Sequence, residues 1–180
     1  MADHIVQNGY KTAAELGVYA GRSVFPIALA IAANQGRAVY AVDAWDNAVA
    51  TSAPISEGDD VWWEAVDLVA IKSQFLRETI SQNLVSLIKI IELPSAEACR
   101  TVSRLIGKCI DFLHIDGAHS EPQALEDATN WSKLVAPRGM IVLDDIDWPG
   151  VRRADEFLAS RFERIEEIRC YGNAFSAYRV

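Results

Sequence analysis

From Lys11 onward, short apolar runs alternate with longer stretches whose apolar residues recur at helical spacing, a pattern that predicts successive βαβ units. Thr12 to Leu16 reads as a first strand, and Ser23 then offers an N-cap for an almost wholly apolar helix, Val24 to Ala33, that ends at Asn34 and Gly36. A helix with so little polar surface is buried against a sheet. Ala38 to Val42 is a second strand closed by Asp43, and Asp46 to Asp60, rich in Ala, Ser, Pro, Asp and Gly, reads as a mobile loop. A long helix is expected from about Val61 toward Ser81, then a third strand from Leu84 to Ile91, then a short helix capped by Ser95 and running through Leu105. Ile110 to Ile115 is a fourth strand, apolar on both faces as buried parallel strands are. Ser120 with Gln123 makes a capping box for a helix to Leu134, with Leu125, Ala128, Trp131 and Val135 on one stripe. Pro137-Arg138-Gly139 is a turn before a fifth strand, Met140 to Leu143. Gly150 to Phe162 is a helix with Val151, Ala154, Phe157 and Leu158 inward, and the strands Arg164 to Arg169 and Ala174 to Val180, joined through Gly172-Asn173, form a terminal hairpin. An ordinary doubly wound sheet would end on a helix instead.

With 180 residues and neither a repeat nor a linker, the chain is expected to form a single domain, 1–180, with a core that needs no disulfide or structural metal. No apolar run is long enough to cross a bilayer, so no membrane partner is expected. Met1-Ala2-Asp3-His4 has neither the basic start nor the apolar stretch of a secretory signal, which favours the cytoplasm. Cys99, Cys109 and Cys170 form no CxxC or Cys/His pattern and read as buried reduced thiols. A net charge of −8 opposes sequence-independent binding to nucleic acid and leaves a small molecule as the expected substrate.

In an open α/β sheet, ligands bind at the carboxyl ends of the strands, and the residues expected there are unusually polar. After the first strand comes Glu15-Leu16-Gly17-Val18-Tyr19-Ala20-Gly21-Arg22-Ser23, where two glycines allow a tight turn and exposed N–H groups at a helix start would hold a carboxylate. Glu15 could receive the amino group of the same ligand. The glycine spacing is GxxxG and not GxGxxG, which weakens a dinucleotide reading. Asp43, ending the second strand, suits the two hydroxyls of a ribose, or is simply a solvated turn residue. Asp116, in His114-Ile115-Asp116-Gly117-Ala118-His119, and the pair Asp144-Asp145 would bring three carboxylates together, whose repulsion a hard divalent cation such as magnesium would resolve. Otherwise one of them caps a helix and the rest face water. His119 is placed to take a proton from a hydroxyl, or else bonds the backbone or supports the metal site, whereas His114 on the strand itself reads as core. Tyr19, Trp45, Trp62, Trp63 and Trp148 stand in or beside the same loops and could wall a ligand, although each singly is more often packing.

These segments, Glu15-x-Gly17-x-x-x-Gly21-x-Ser23, Val42-Asp43-Ala44-Trp45, His114 to Ser120, and Gly139 to Asp145 with Pro149-Gly150-Val151, resemble the class I S-adenosylmethionine-dependent methyltransferases. The likeness is to the metal-dependent small-molecule O-methyltransferases, which include macrolide-sugar O-methyltransferases and cephalosporin-hydroxylase-type proteins. It runs from about Thr12 to Phe157. It implies a Rossmann-like doubly wound α/β sheet of seven strands, mostly parallel, with a strand of the C-terminal hairpin antiparallel beside the fifth. It also implies S-adenosylmethionine as cofactor, held by Glu15, Gly17, Gly21, Ser23, Asp43, Ser95 and Asp116, with Ser95 after the third strand at the adenine. Mg2+ on Asp116, Asp144 and Asp145, and His119 as base, follow from the same resemblance. Two departures stand out: Ala118 occupies a position that is often acidic in relatives, and only about ten residues precede the first strand, where relatives carry a helical lid. The Asp46 to Asp60 loop, or another subunit of a homo-oligomer, is expected to serve instead. The resulting expectation is methyl transfer to a hydroxyl of a small molecule, with a degenerate cofactor-binding subunit or an NAD-binding oxidoreductase as alternatives.

Overall fold

The computed structural model describes residues 1–53, 56–170 and 173–180. In chain order the elements are α1 (Ala2–Asn8), β1 (Thr12–Leu16), α2 (Val24–Ala33), β2 (Ala38–Val42), α3 (Asn47–Ala50), α4 (Glu57–Ala65), α5 (Leu68–Ser81), β3 (Ile88–Ile91), α6 (Ser95–Ile106), β4 (Ile110–Ile115), α7 (Glu121–Trp131), β5 (Val135–Leu143), α8 (Arg152–Arg161), β6 (Glu163–Cys170) and β7 (Asn173–Arg179), with a 3-10 turn at Ser132–Leu134. The strands form one sheet in the order β3-β2-β1-β4-β5-β7-β6. β1 to β5 pair in parallel, and β7 enters antiparallel between β5 and β6, as the terminal hairpin predicts. The sheet is therefore the Rossmann-like, mostly parallel seven-stranded one.

Alternation along the strands explains why this sheet has two cores. Ala14, Leu16, Val42, Leu113, Ile115, Ile141 and Leu143 point to the face covered by α6, α7 and α8, where Trp131, Val102 and Leu158 are buried. Ala13, Val39, Ala41, Phe112, Met140 and Val142 point to the opposite face, under α2 and α5 with Ile27, Ile31 and Phe75. Among the described residues, no helix is long and apolar enough to cross a membrane.

Several expectations are corrected. Most of the Asp46 to Asp60 stretch is helical: Asp46 caps α3 by accepting from Ala48 N and Val49 N, and Ser56 caps α4. Pro54 and Ile55 of that stretch lie outside the described residues. The helix expected from Val61 to Ser81 is two helices, broken at Val66-Asp67 because Asp67 turns its carboxylate onto Ala70 N and starts α5 afresh. β3 is only Ile88–Ile91, since the chain from Leu84 folds into turns closed by Leu87 N and Ile88 N on Leu84 O. Pro137 to Gly139 does not end the preceding element. It lies inside a continuous β5, with Arg138 left-handed at φ 70 and the register shifting between Ile110 and Phe112. On α7 the buried positions are Ala124, Asp127, Ala128 and Trp131, with Leu125 only half-buried. Cys109 is exposed, whereas Cys99 is buried as expected. Gly172 of the hairpin connection lies outside the described residues.

The serine caps are corrected as a group. Ser23, Ser95 and Ser120 do mark helix starts, but none hydrogen-bonds the backbone there. Their hydroxyls go to the side chains of Glu15, Asp127 and Gln123 respectively.

Candidate functional site

A cavity of about 430 Å³ opens at the carboxyl ends of β1 to β4, walled on the solvent side by α3 and α4. Gly17 sets its floor. With φ +79, it lies so close to the β4 loop that a Cβ would stand 1.9 Å from the Asp116 carbonyl oxygen. Only glycine allows that backbone contact. Of the residues expected to hold a ligand, Gly17, Asp43, Ser95, Asp116 and His119 line this cavity. Glu15, Gly21 and Ser23 do not: Glu15 is fully buried and accepts from Ser23 Oγ at 2.5 Å, while a Cβ on Gly21 would meet the Phe25 ring at 2.4 Å.

Asp43 organises the loops around it. Its Oδ2 accepts from Tyr19 N and its Oδ1 from Trp45 N, both at 2.8 Å. Trp45 Nε1 donates in turn to the Tyr19 carbonyl. Tyr19 and Trp45 both hold left-handed backbone, at φ 50 and 44, a conformation costly for residues with bulky side chains and kept here by these bonds. Burial raises the pKa of Asp43, while the backbone N–H groups of Tyr19, Trp45 and Val18 pull the other way.

The acidic cluster divides into two groups that share Asp116. His114, Asp116 and Asp144 form one, and Asp116, His119 and Asp145 the other, the potential ligand atoms in each lying within 4.8 Å of one another. Asp144 and Asp145 thus face different histidines. His119 Nε2 lies 2.6 Å from Asp145 Oδ2, and since a carboxylate only accepts, the imidazole donates. Burial works against the His119 cation, but Asp145 outweighs it and raises the pKa. The ring stacks on Trp148, with centroids 4.6 Å apart. Asp145 itself is left-handed at φ 55, its N–H donating to Asp144 Oδ1. Burial pushes the Asp116 carboxyl up to about 7, opposed by His114 and reinforced by Asp144, Asp145 and Glu15.

Two participants were not singled out from the sequence as site residues. His114 is buried as expected, yet it bridges the site from beneath, Nδ1 3.7 Å from Glu15 Oε2 and Nε2 3.6 Å from Asp144 Oδ2. Burial disfavours its charge, but the two carboxylates overcome this and lift its pKa to about 10. Asp127 lines the cavity from α7. A carboxylate between Ala124 and Ala128 on the inward stripe of a helix is the signal that could have exposed it. The outer wall carries Trp62 and Trp63, whose centroids are 4.8 Å apart, and Tyr19 packs edge-on to Trp63.

Residues 14–146 match the family model described as a methyltransferase domain. No curated protein matches the chain in sequence. Among solved structures, the O-methyltransferase NovP superposes with a TM-score of 0.74 at 16% identity, covering 99% of this chain and 75% of its own. The O-methyltransferase TomG from Streptomyces achromogenes, involved in tomaymycin synthesis and solved in complex with SAM, gives 0.72 at 18% identity, covering 99% and 77%. An O-methyltransferase from Bacillus cereus in complex with SAH gives 0.67 at 16%, covering 99% and 78%. At these identities the likeness is one of fold.

Proposed function

The chain belongs to the methyltransferase-domain family, and from that premise we propose that it transfers a methyl group from S-adenosylmethionine to a hydroxyl of a small molecule. The observation that carries the reading is one cavity holding Gly17, Asp43, Ser95, Asp116 and His119 together, in a chain whose fold is that of O-methyltransferases. When bound, S-adenosylmethionine supplies a sulfonium methyl open to in-line displacement. The Asp43 carboxylate, fixed by two backbone N–H groups, accepts from the ribose hydroxyls through its remaining lone pairs. The Gly17 turn lets the chain approach the amino-acid end of the cofactor. Glu15 and Ser23 act through each other, holding the start of α2, rather than by touching the ligand.

His119 takes the acceptor's proton. Asp145 fixes its Nε2–H, which leaves Nδ1 as the accepting atom and makes the imidazole more basic. Asp116 stands with His114 and Asp144 in one group and with His119 and Asp145 in another, and these half-buried, mutually repelling carboxylates would suit a divalent cation, with magnesium the hard, oxygen-seeking choice. Bound there, it would lower the pKa of the acceptor hydroxyl. α3, α4 and the aromatic cluster of Tyr19, Trp62 and Trp63 stand on the solvent side of the cavity, where they would limit the access of water to the reacting groups. We read the chain as one cytoplasmic domain, 1–180, that acts on a small molecule and can form a homo-oligomer, with no nucleic-acid partner at a net charge of −8.

Calorimetric titration with S-adenosylmethionine tests the cofactor, and a panel of hydroxyl compounds with methyl-labelled cofactor, in magnesium or in chelator, tests the reaction. Saturable binding with label entering a hydroxyl supports the reading. Binding of NAD in preference, or label in no acceptor, overturns it.

A further inference from the structure

Glu15 and His114 are register partners on the neighbouring strands β1 and β4, so both point to the face that otherwise carries Ala13, Ala41, Phe112 and Val142. Both are 0% exposed. An acid and an imidazole are costly to bury among such residues, where apolar side chains would serve packing better. Their contacts give them another use. Ser23 Oγ donates to Glu15 Oε1 at 2.5 Å and so holds the carboxylate in place. The other oxygen, Oε2, lies 3.7 Å from His114 Nδ1, and across the ring Nε2 lies 3.6 Å from Asp144 Oδ2. Glu15 Oε2 and both ring nitrogens are buried with no hydrogen-bond partner among the described residues, which leaves the two carboxylates as the groups the imidazole can serve.

From Asp144 the line of contacts continues to the reacting end of the site. Asp144 Oδ1 accepts from Asp145 N at 3.0 Å, which keeps Asp145 in left-handed backbone at φ 55. Asp145 Oδ2 in turn meets His119 Nε2 at 2.6 Å. Asp144 and Asp145 lie past the end of β5 and are partly exposed, whereas His114 is fixed on a strand inside the core. The rigid member of the series is therefore the buried histidine.

We propose that His114 is a positioning residue for the base: donating from Nε2 to Asp144, it sets the Asp144–Asp145 turn, and that turn keeps the hydrogen of His119 on Nε2 and Nδ1 open to a proton. The inference rests on the reading of His119 as base, but its test does not depend on turnover.

The chain has three histidines, so NMR of the ring nitrogens in histidine-labelled full-length protein can report each one separately. In the wild type, His114 should carry hydrogen on Nε2, and at a pH where the His119 ring is neutral that ring should be almost wholly in its Nε2–H form. His114→Gln puts an amide donor where Nε2 stands and should preserve that form. His114→Asn puts its amide near Nδ1, short of Asp144, and should raise the minor Nδ1–H form of His119 by about tenfold or more, the scale of a lost charge-assisted bond. Both variants remove the imidazole from one core position, so a merely structural role would move them alike. Should His114→Asn melt early, adding Glu15→Gln removes the unpaired buried carboxylate and restores the comparison. A wild-type His114 ring with Nε2 bare, or the same His119 tautomer in both variants, overturns the inference. Turnover unchanged in His119→Ala would instead remove the base reading and leave the NMR result standing.

Discussion

The floor and the outer wall of the cavity are built on different principles. The floor consists of strand ends held by the sheet and by short contacts: Asp116 N–H donates to the Leu16 carbonyl and Gly17 N–H to that of Val42, Asp43 accepts from two backbone N–H groups, and the side chains of Asp145 and His119 are bonded to each other. The wall consists of α3 and α4, in which no described residue is buried; Asn47 Nδ2 on the carbonyls of Trp63 and Val66 holds the two helices to each other, and an exposed bond from Gln123 Nε2 to Ser52 Oγ reaches them from the body. Preorganised polar groups suit a fixed cofactor and a fixed chemical step. A thinly anchored aromatic wall suits adjustment to an acceptor. The contrast predicts that damage to the floor strikes chemistry and cofactor, and damage to the wall strikes acceptor choice.

The sharpest way to break that contrast is His119→Ala. It should lower kcat by about 100- to 10,000-fold with cofactor affinity unchanged by calorimetry. A loss below tenfold in single-turnover assays would remove His119 as the base. Gly17→Ala should destabilise the fold by about 3 kcal/mol in urea unfolding, because a left-handed alanine must also displace the β4 loop backbone. Asp43→Ala should weaken S-adenosylmethionine about ten- to hundredfold, the scale of lost charge-assisted bonds. An unchanged dissociation constant would move the ribose elsewhere. Trp62→Ala, at a side chain half-exposed on the wall, should cost about 1 kcal/mol and shift the acceptor KM severalfold without changing cofactor affinity. A cofactor effect as large as that of Asp43→Ala would erase the distinction between floor and wall.

How legible the molecule is from its sequence follows the same division. Strands buried on both faces and a terminal hairpin leave a one-dimensional trace, so β1, β2, β4 and the antiparallel β7 were all readable, and with them the strand-end positions of Asp43, Asp116, Asp144 and Asp145. The wall was not readable, because Ala, Ser, Asp and Gly between Asp46 and Asp60 look like a loop until Asp46 and Ser56 are seen capping helices. The serines teach a subtler lesson. Their positions marked helix starts correctly, but local rules cannot see a carboxylate arriving from a distant element, and Glu15 and Asp127 each outbid the backbone for a hydroxyl. The same blindness hid His114, whose neighbours are Glu15 on β1 and Asp144 just past the end of β5, the strands on either side of its own.

The place of β7 has a consequence for how the chain is made. It is the last strand, yet it sits inside the sheet, pairing β5 on one side and β6 on the other. Until it arrives, β5 presents an open apolar edge with Ile141 and Leu143 on one face and Met140 and Val142 on the other. An unpaired edge of that composition invites association between nascent chains. Once in place, β7 passes the exposed edge to β6, whose Glu163, Arg164, Glu166, Glu167 and Arg169 make a poor template for another strand. The arrival of β7 therefore converts a sticky intermediate into a molecule with a guarded margin.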